Sequence, residues 1–150
     1  MRKVALLTTA CFLGLTLLDS NAYAEDSGFE MQKSSDEVTF VKGDGSAKAS
    51  LRIMMPVNTL STTKNYAQYV MDRYSGWGLN PVLDLRGFSF QYVDNAPCAG
   101  LLTYFDGRSF LLFTSCGKIE GKTLQELYSK ADKELRISEK LKREGRASFY

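Results

Sequence analysis

Apolar and polar residues alternate along much of this chain, and the period changes only in two places. The clearest alternation is "KASLRIMM", where Ala49, Leu51, Ile53 and Met55 share one face and Lys48, Ser50 and Arg52 the other. This pattern predicts a half-buried strand ended by Pro56. "VTFV" (Val38 to Val41) before it is β-branched and aromatic, a second strand. The intervening "KGDGSA" reads as a turn, with Gly43 and Gly45 free to take positive φ and Asp44 supplying local hydrogen bonds.

The period then lengthens. In "NTLSTTKNYAQYVMDRYSGWG", Tyr66, Val70 and Trp77 fall on one helical face with Tyr69 and Tyr74 at its margins. Thr62 or Thr63 can cap the start, and Gly76 or Gly78 can close the end. "PVLDLRGFSFQYV" changes parity: Leu83 and Leu85 alternate in one sense, Phe88, Phe90 and Tyr92 in the other. A bulge or bend at Gly87 is expected to re-aim one strand. Two further strands, Leu101 to Phe105 and Phe110 to Ser115, flank Asp106-Gly107, a strong hairpin signal. A second helix follows in "GKTLQELYSKADKELRISEKLKREG", with Thr123 and Glu126 in capping-box spacing. Leu124, Leu127, Tyr128, Ala131 and Leu135 form its stripe. Ile137 and Leu141 fall off that stripe, so the core-facing part should end near Arg136.

These elements predict an α+β fold, an antiparallel sheet of about five to six strands with two packed amphipathic helices. The domain should span 37–137. Residues 25–36 read as a loose entry segment, although Phe29 and Met31 could pin a short strand there. Residues 138–150 read as a charged extension.

The N-terminus alters the picture. Arg2 and Lys3, the apolar run Val4 to Leu18 and the small residues Ala22 and Ala24 read as a signal peptide over 1–24. The run is short for a membrane span, and no later segment approaches one. Cys11 sits too early in the run for a lipid anchor. Cleavage would remove Arg2, Lys3 and Asp19, leaving 17 basic and 16 acidic residues. That balance argues against nucleic acid as a partner. The basic excess is confined to the tail, where Lys140, Lys142, Arg143 and Arg146 offer a docking surface for an acidic partner or an anionic membrane. The expected location is the periplasm, with secretion as the alternative.

Candidate chemistry is sparse. The chain contains no histidine, which removes Ser-His-Asp and Cys-His catalysis, His-ligated zinc and the common acid–base shuttle. No enzyme activity, cofactor or metal is expected. In "NAPCAGLLTYFDGRSFLLFTSCGK", Cys98 and Cys116 flank the hairpin, and in an exported chain they are expected to form a disulfide. A two-residue Asp106-Gly107 loop would set Cys98 against Ser115, one position short. The bond therefore needs a three-residue loop, a bulge, or Pro97-Cys98 already outside the ladder. It would close a loop of about 18 residues, contributing roughly 3 kcal/mol in the chain-entropy model.

"FLLFTSCGKIEGKT" imitates a phosphate-binding loop, but Gly117 stands one residue too close to Gly121 for that motif. Asp44 lacks the partner carboxylates calcium requires, and Asp84 and Asp94 do not form a catalytic pair. The aromatic set Tyr66, Tyr69, Tyr74, Trp77, Phe88, Phe90 and Tyr92 reads first as packing between helix and sheet. The alternative is a ligand pocket or partner contact.

The element order, with a central "LRGFSF" strand, a long hairpin and a closing helix, resembles the PsbP/DcrB-type fold of small exported or lumenal proteins over about Glu37 to Ile137. The chain lacks a Pro-x-x-Trp near its first strand, and the resemblance assigns no functional residues. It implies a non-catalytic accessory or binding role. The expected function is therefore an exported binding domain acting on a protein or envelope partner. A small-molecule or lipid binder, with an aromatic pocket between the first helix and the sheet, is the alternative.

Overall fold

The computed structural model describes residues 28–55, 62–106 and 109–139. The expected signal peptide, Pro56, the Gly107 turn position and the tail cations Lys140, Lys142, Arg143 and Arg146 lie outside them. Seven strands form one antiparallel sheet: β1 (Phe29–Lys33), β2 (Glu37–Lys42), β3 (Lys48–Met54), β4 (Trp77–Val82), β5 (Gly87–Val93), β6 (Pro97–Asp106) and β7 (Ser109–Cys116). Two helices, α1 (Thr63–Arg73) and α2 (Gly121–Leu135), and a 3-10 turn at Leu83–Leu85 complete the elements of the described residues. The spatial order is β1-β2-β3-β7-β6-β5-β4. The last strand thus sits at the centre, where strands buried on both faces belong.

The sheet is larger than expected because two strands lack clean alternation. β1 lies within the segment read as loose, and pairs with β2 from Phe29↔Lys42 to Lys33↔Val38. β4 begins at Trp77, whose spacing from Tyr66 and Val70 predicts a place on the first helix. The helix instead ends at Arg73, and the Ser75 backbone takes φ 51° as the chain turns back into the sheet. The parity change at Gly87 is a hairpin rather than one bent strand. β4 stops at Val82, the 3-10 turn carries Leu83 and Leu85, left-handed Arg86 reverses the chain, and β5 starts at Gly87.

The helices cover opposite faces of opposite halves. α1 lies over β4, β5 and β6, whereas α2 lies over β2 and β3. Under α2, Leu127, Ala131 and Leu135 meet Val38, Phe40, Ala49, Leu51 and Phe113. Full burial of each large side chain there contributes about 1.5–3 kcal/mol. Under α1, Tyr66, Ala67, Val70 and Met71 meet Phe90, Tyr92, Leu102 and Leu112.

The Thr62 hydroxyl caps α1, accepting from the Asn65 N–H at 3.1 Å. The expected Thr123 capping box is absent: α2 begins at Gly121 after Glu120, without a side-chain cap. At its far end the Arg136 backbone turns left-handed and swings Ile137 into the core, which corrects the view that the buried part stops near Arg136. Asp132 holds this turn by accepting from the Ser138 N–H at 2.7 Å.

Candidate ligand site on the open half of the α2 face

Strand register decides what the α2 face presents where α2 no longer covers it. Three rows run inward from the β4 edge: Trp77–Gln91–Ala99–Ser115, Asn80–Ser89–Leu101–Phe113, and Val82–Gly87–Thr103–Leu111. Gly87, Ser89 and Ala99 are all small. On the reverse face the same strand β5 carries Phe88, Phe90 and Tyr92. The sheet is therefore thick under α1 and thin on the side facing away from it.

The thin patch is a cavity of about 380 Å³. Ser89, Ala99, Leu101 and Thr103 come from β5 and β6, Phe113 and Ser115 from β7, and Val82 and Leu85 from β4 and its turn. Tyr128 of α2 closes the inner side. Its hydroxyl donates to the Thr114 carbonyl at 2.7 Å, and its ring meets Phe113 edge-on at 5.1 Å. Burial pushes the Tyr128 hydroxyl pKa up, so the wall is uncharged at neutral pH. The cavity is at the lower end of the roughly 300–1,000 Å³ range of small-molecule sites. Its polar groups are hydroxyls, and no Asp, Glu, Lys or Arg lines it.

Thr103 sits in the floor, fully buried. Among the described residues its Oγ1 is the buried side-chain polar atom without a hydrogen-bond partner. Thr114, on the next strand and the opposite face, shows the usual arrangement, bonding Ser50 at 2.5 Å.

The aromatic residues singled out from the sequence lie elsewhere. Tyr66 of α1 is buried with Phe90 and Tyr92 of β5, and Tyr69, Tyr74 and Phe88 pack at the edges of that cluster. Tyr66 stacks on Phe110 at 4.5 Å, and its hydroxyl donates to the Met55 carbonyl at 2.7 Å. Tyr74 tilts against Tyr92 at 4.7 Å. Burial raises the pKa of Tyr66 and Tyr74, and that of Tyr92 to about 12. Trp77 is separate, half-exposed at the end of the first row of the cavity face.

Cys98 and Cys116 stand directly opposite each other on β6 and β7, with Cα atoms 4.1 Å apart, joined by a disulfide. Two offsets set this register: Asp106 pairs with Ser109, which moves the ladder two positions from that expected of an Asp106-Gly107 loop, and the extra residue Phe105, before Tyr104↔Phe110, takes one back. Gly117 follows at φ 75°, and a Cβ there would fall 2.1 Å from the Ser46 carbonyl oxygen. That glycine closes the strand against its neighbour, which accounts for it without any phosphate.

None of the cavity residues was chosen from the sequence. The available signal was the small residues at one parity of adjacent strands, Gly87 and Ser89 with Ala99, on the face opposite a run of aromatics. Among the described residues no helix is long and apolar enough to cross a membrane, and no three acidic or cysteine side chains gather as a metal site. No family model and no curated protein matches the chain. Among solved structures it is similar to cyanobacterial PsbP (CyanoP) from Synechocystis sp. PCC 6803, at 10% identity over 71% of this chain and 79% of that one, with a TM-score of 0.38.

Proposed function

We propose that this protein is an exported, non-catalytic binding domain that holds a small apolar molecule on the open half of the α2 face. The cavity carries the reading: an apolar recess of about 380 Å³ formed by small residues on adjacent strands. Its location moves the ligand away from the α1 aromatic cluster, where large rings already fill the space. Export is supported by the signal-like pattern of residues 1–24 and by the Cys98–Cys116 disulfide, which suits an oxidising compartment. The non-catalytic assignment is supported by cavity walls that offer hydroxyls, in a chain without histidine.

Trp77, the chain's single tryptophan, provides the test because it shares a row with Ala99. Titration with N-phenyl-1-naphthylamine should raise the probe's emission while Trp77 fluorescence falls by energy transfer. Ala99→Leu and Ser89→Leu, which fill the recess, should each weaken binding by about tenfold or more, some 1.4 kcal/mol, with unchanged far-ultraviolet circular dichroism. Unchanged probe emission, or equal affinity in both variants, would sink the proposal. A second reading, contact with a protein or envelope partner, is favoured by Leu83, which is 84% exposed on the turn beside the cavity. Under that reading Leu83→Asp would abolish capture of the partner by a photocrosslinker placed at position 84 in the native compartment, while probe binding persisted.

A further inference from the structure

We infer that the cavity takes a neutral ligand, an alcohol or a ketone on an apolar skeleton, whose oxygen pairs with the hydroxyl of Thr103. The inference rests on reading the cavity as a ligand site and specifies the chemistry of what enters it.

Two observations fix the class. The walls contain four hydroxyl-bearing residues, Ser89, Thr103, Ser115 and Tyr128, and no ionisable group charged at neutral pH. A carboxylate or ammonium drawn into such a recess would lose its hydration without gaining a counter-charge, which is strongly unfavourable. The second observation is the unpartnered Thr103 Oγ1. A hydroxyl buried without a partner is destabilising, and a ligand oxygen or hydroxyl hydrogen relieves it. Thr103 can donate to a carbonyl or accept from an alcohol, so both ligand types satisfy it.

Thr103 is fully buried, so the ligand must displace a wall side chain to reach it. The turn carrying Leu85 is the part suited to move. It contains no buried residue and joins β4 to β5 at the edge of the sheet. Segments with few buried contacts open at the lowest cost. Ligand entry therefore draws the Leu83–Leu85 turn outward and exposes the floor.

Three probes of one skeleton test the inference: naphthalene, 2-naphthol and 2-naphthoate, each competing against N-phenyl-1-naphthylamine on the full chain. In the native protein 2-naphthol should compete about five- to tenfold better than naphthalene, the effect of one satisfied buried hydrogen bond. The naphthoate should be the weakest. Thr103→Val should erase the naphthol advantage while leaving naphthalene unchanged, and should raise the melting temperature of the free protein by removing the orphaned hydroxyl. Thr103→Ser, which keeps a hydroxyl, should retain the advantage. Equal binding of naphthol and naphthalene, an advantage that survives in Thr103→Val, or a naphthoate that competes as well as naphthol would each overturn the inference. So would failure of all three to displace a bound probe, with the cavity assignment left standing. Failure of the probe itself to bind would overturn both.

Discussion

Gly100 shows how far a single residue governs the packed face. It stands opposite Phe90 on β5, and a Cβ placed on it would lie 2.3 Å from the tip of the Phe90 ring. The ring lies flat across the glycine beneath α1, so it cannot lift. Gly100→Ala is expected to cost about 1–3 kcal/mol as an overpacked core substitution, read as a lowered midpoint in urea denaturation. An unchanged midpoint would mean that Phe90 has room to move. The importance of Gly100 was not legible in the sequence, because Phe90 and Gly100 meet only through register. Cys98 and Cys116 were legible, since pairing distance from a hairpin can be counted. The count was one short because the closing pair Asp106↔Ser109 and the bulge at Phe105 shift the register in opposite senses, and neither can be read from residue type.

At the scale of elements, strong alternation carried through. β2, β3, β7 and the Leu124-to-Leu135 stripe of α2 lie where their patterns put them. β4 did not follow, because Asn80 and Pro81 interrupt its alternation and Trp77 falls by chance on the helical period of Tyr66 and Val70. Those features also suit an edge strand: proline and a bulge discourage pairing with another chain. The β6–β7 hairpin is held by its disulfide across 18 residues. Its reduction, or Cys98→Ser with Cys116→Ser, should cost about 3 kcal/mol and lower the melting temperature by roughly 10 °C. An unshifted transition would show that the ladder alone holds the pair. The cavity has no counterpart in any single element. It arises where small residues of two strands lie beside α2, against Tyr128.

Across the whole molecule, the tyrosines under α1 and in the α2 wall tie stability to alkaline pH. The folded pKa of Tyr92 is about 12, raised by burial above its ordinary value of about 10. The folded state therefore holds this proton through a window in which the unfolded chain has released it. Stability is fully present below about pH 10 and declines as pH rises towards 12. Tyr66, Tyr74 and Tyr128 shift in the same direction for the same cause. Absorbance titration of the phenols should show a late-ionising component, together with loss of near-ultraviolet circular dichroism. A single transition near pH 10 with the fold intact would contradict this assignment.

The central position of β7 has a consequence for how the chain acquires its shape. Lys48–Met54 must wait for Phe110–Cys116, some sixty positions later, before β3 gains its second neighbour. Until that strand arrives the inner strands of the two halves, β3 and β6, each lack a partner on one side. Contacts this distant in sequence slow folding and leave early segments uncommitted. A newly made chain would thus remain open until nearly all of it is available, a useful delay for any polypeptide that must be threaded through a narrow channel before it folds.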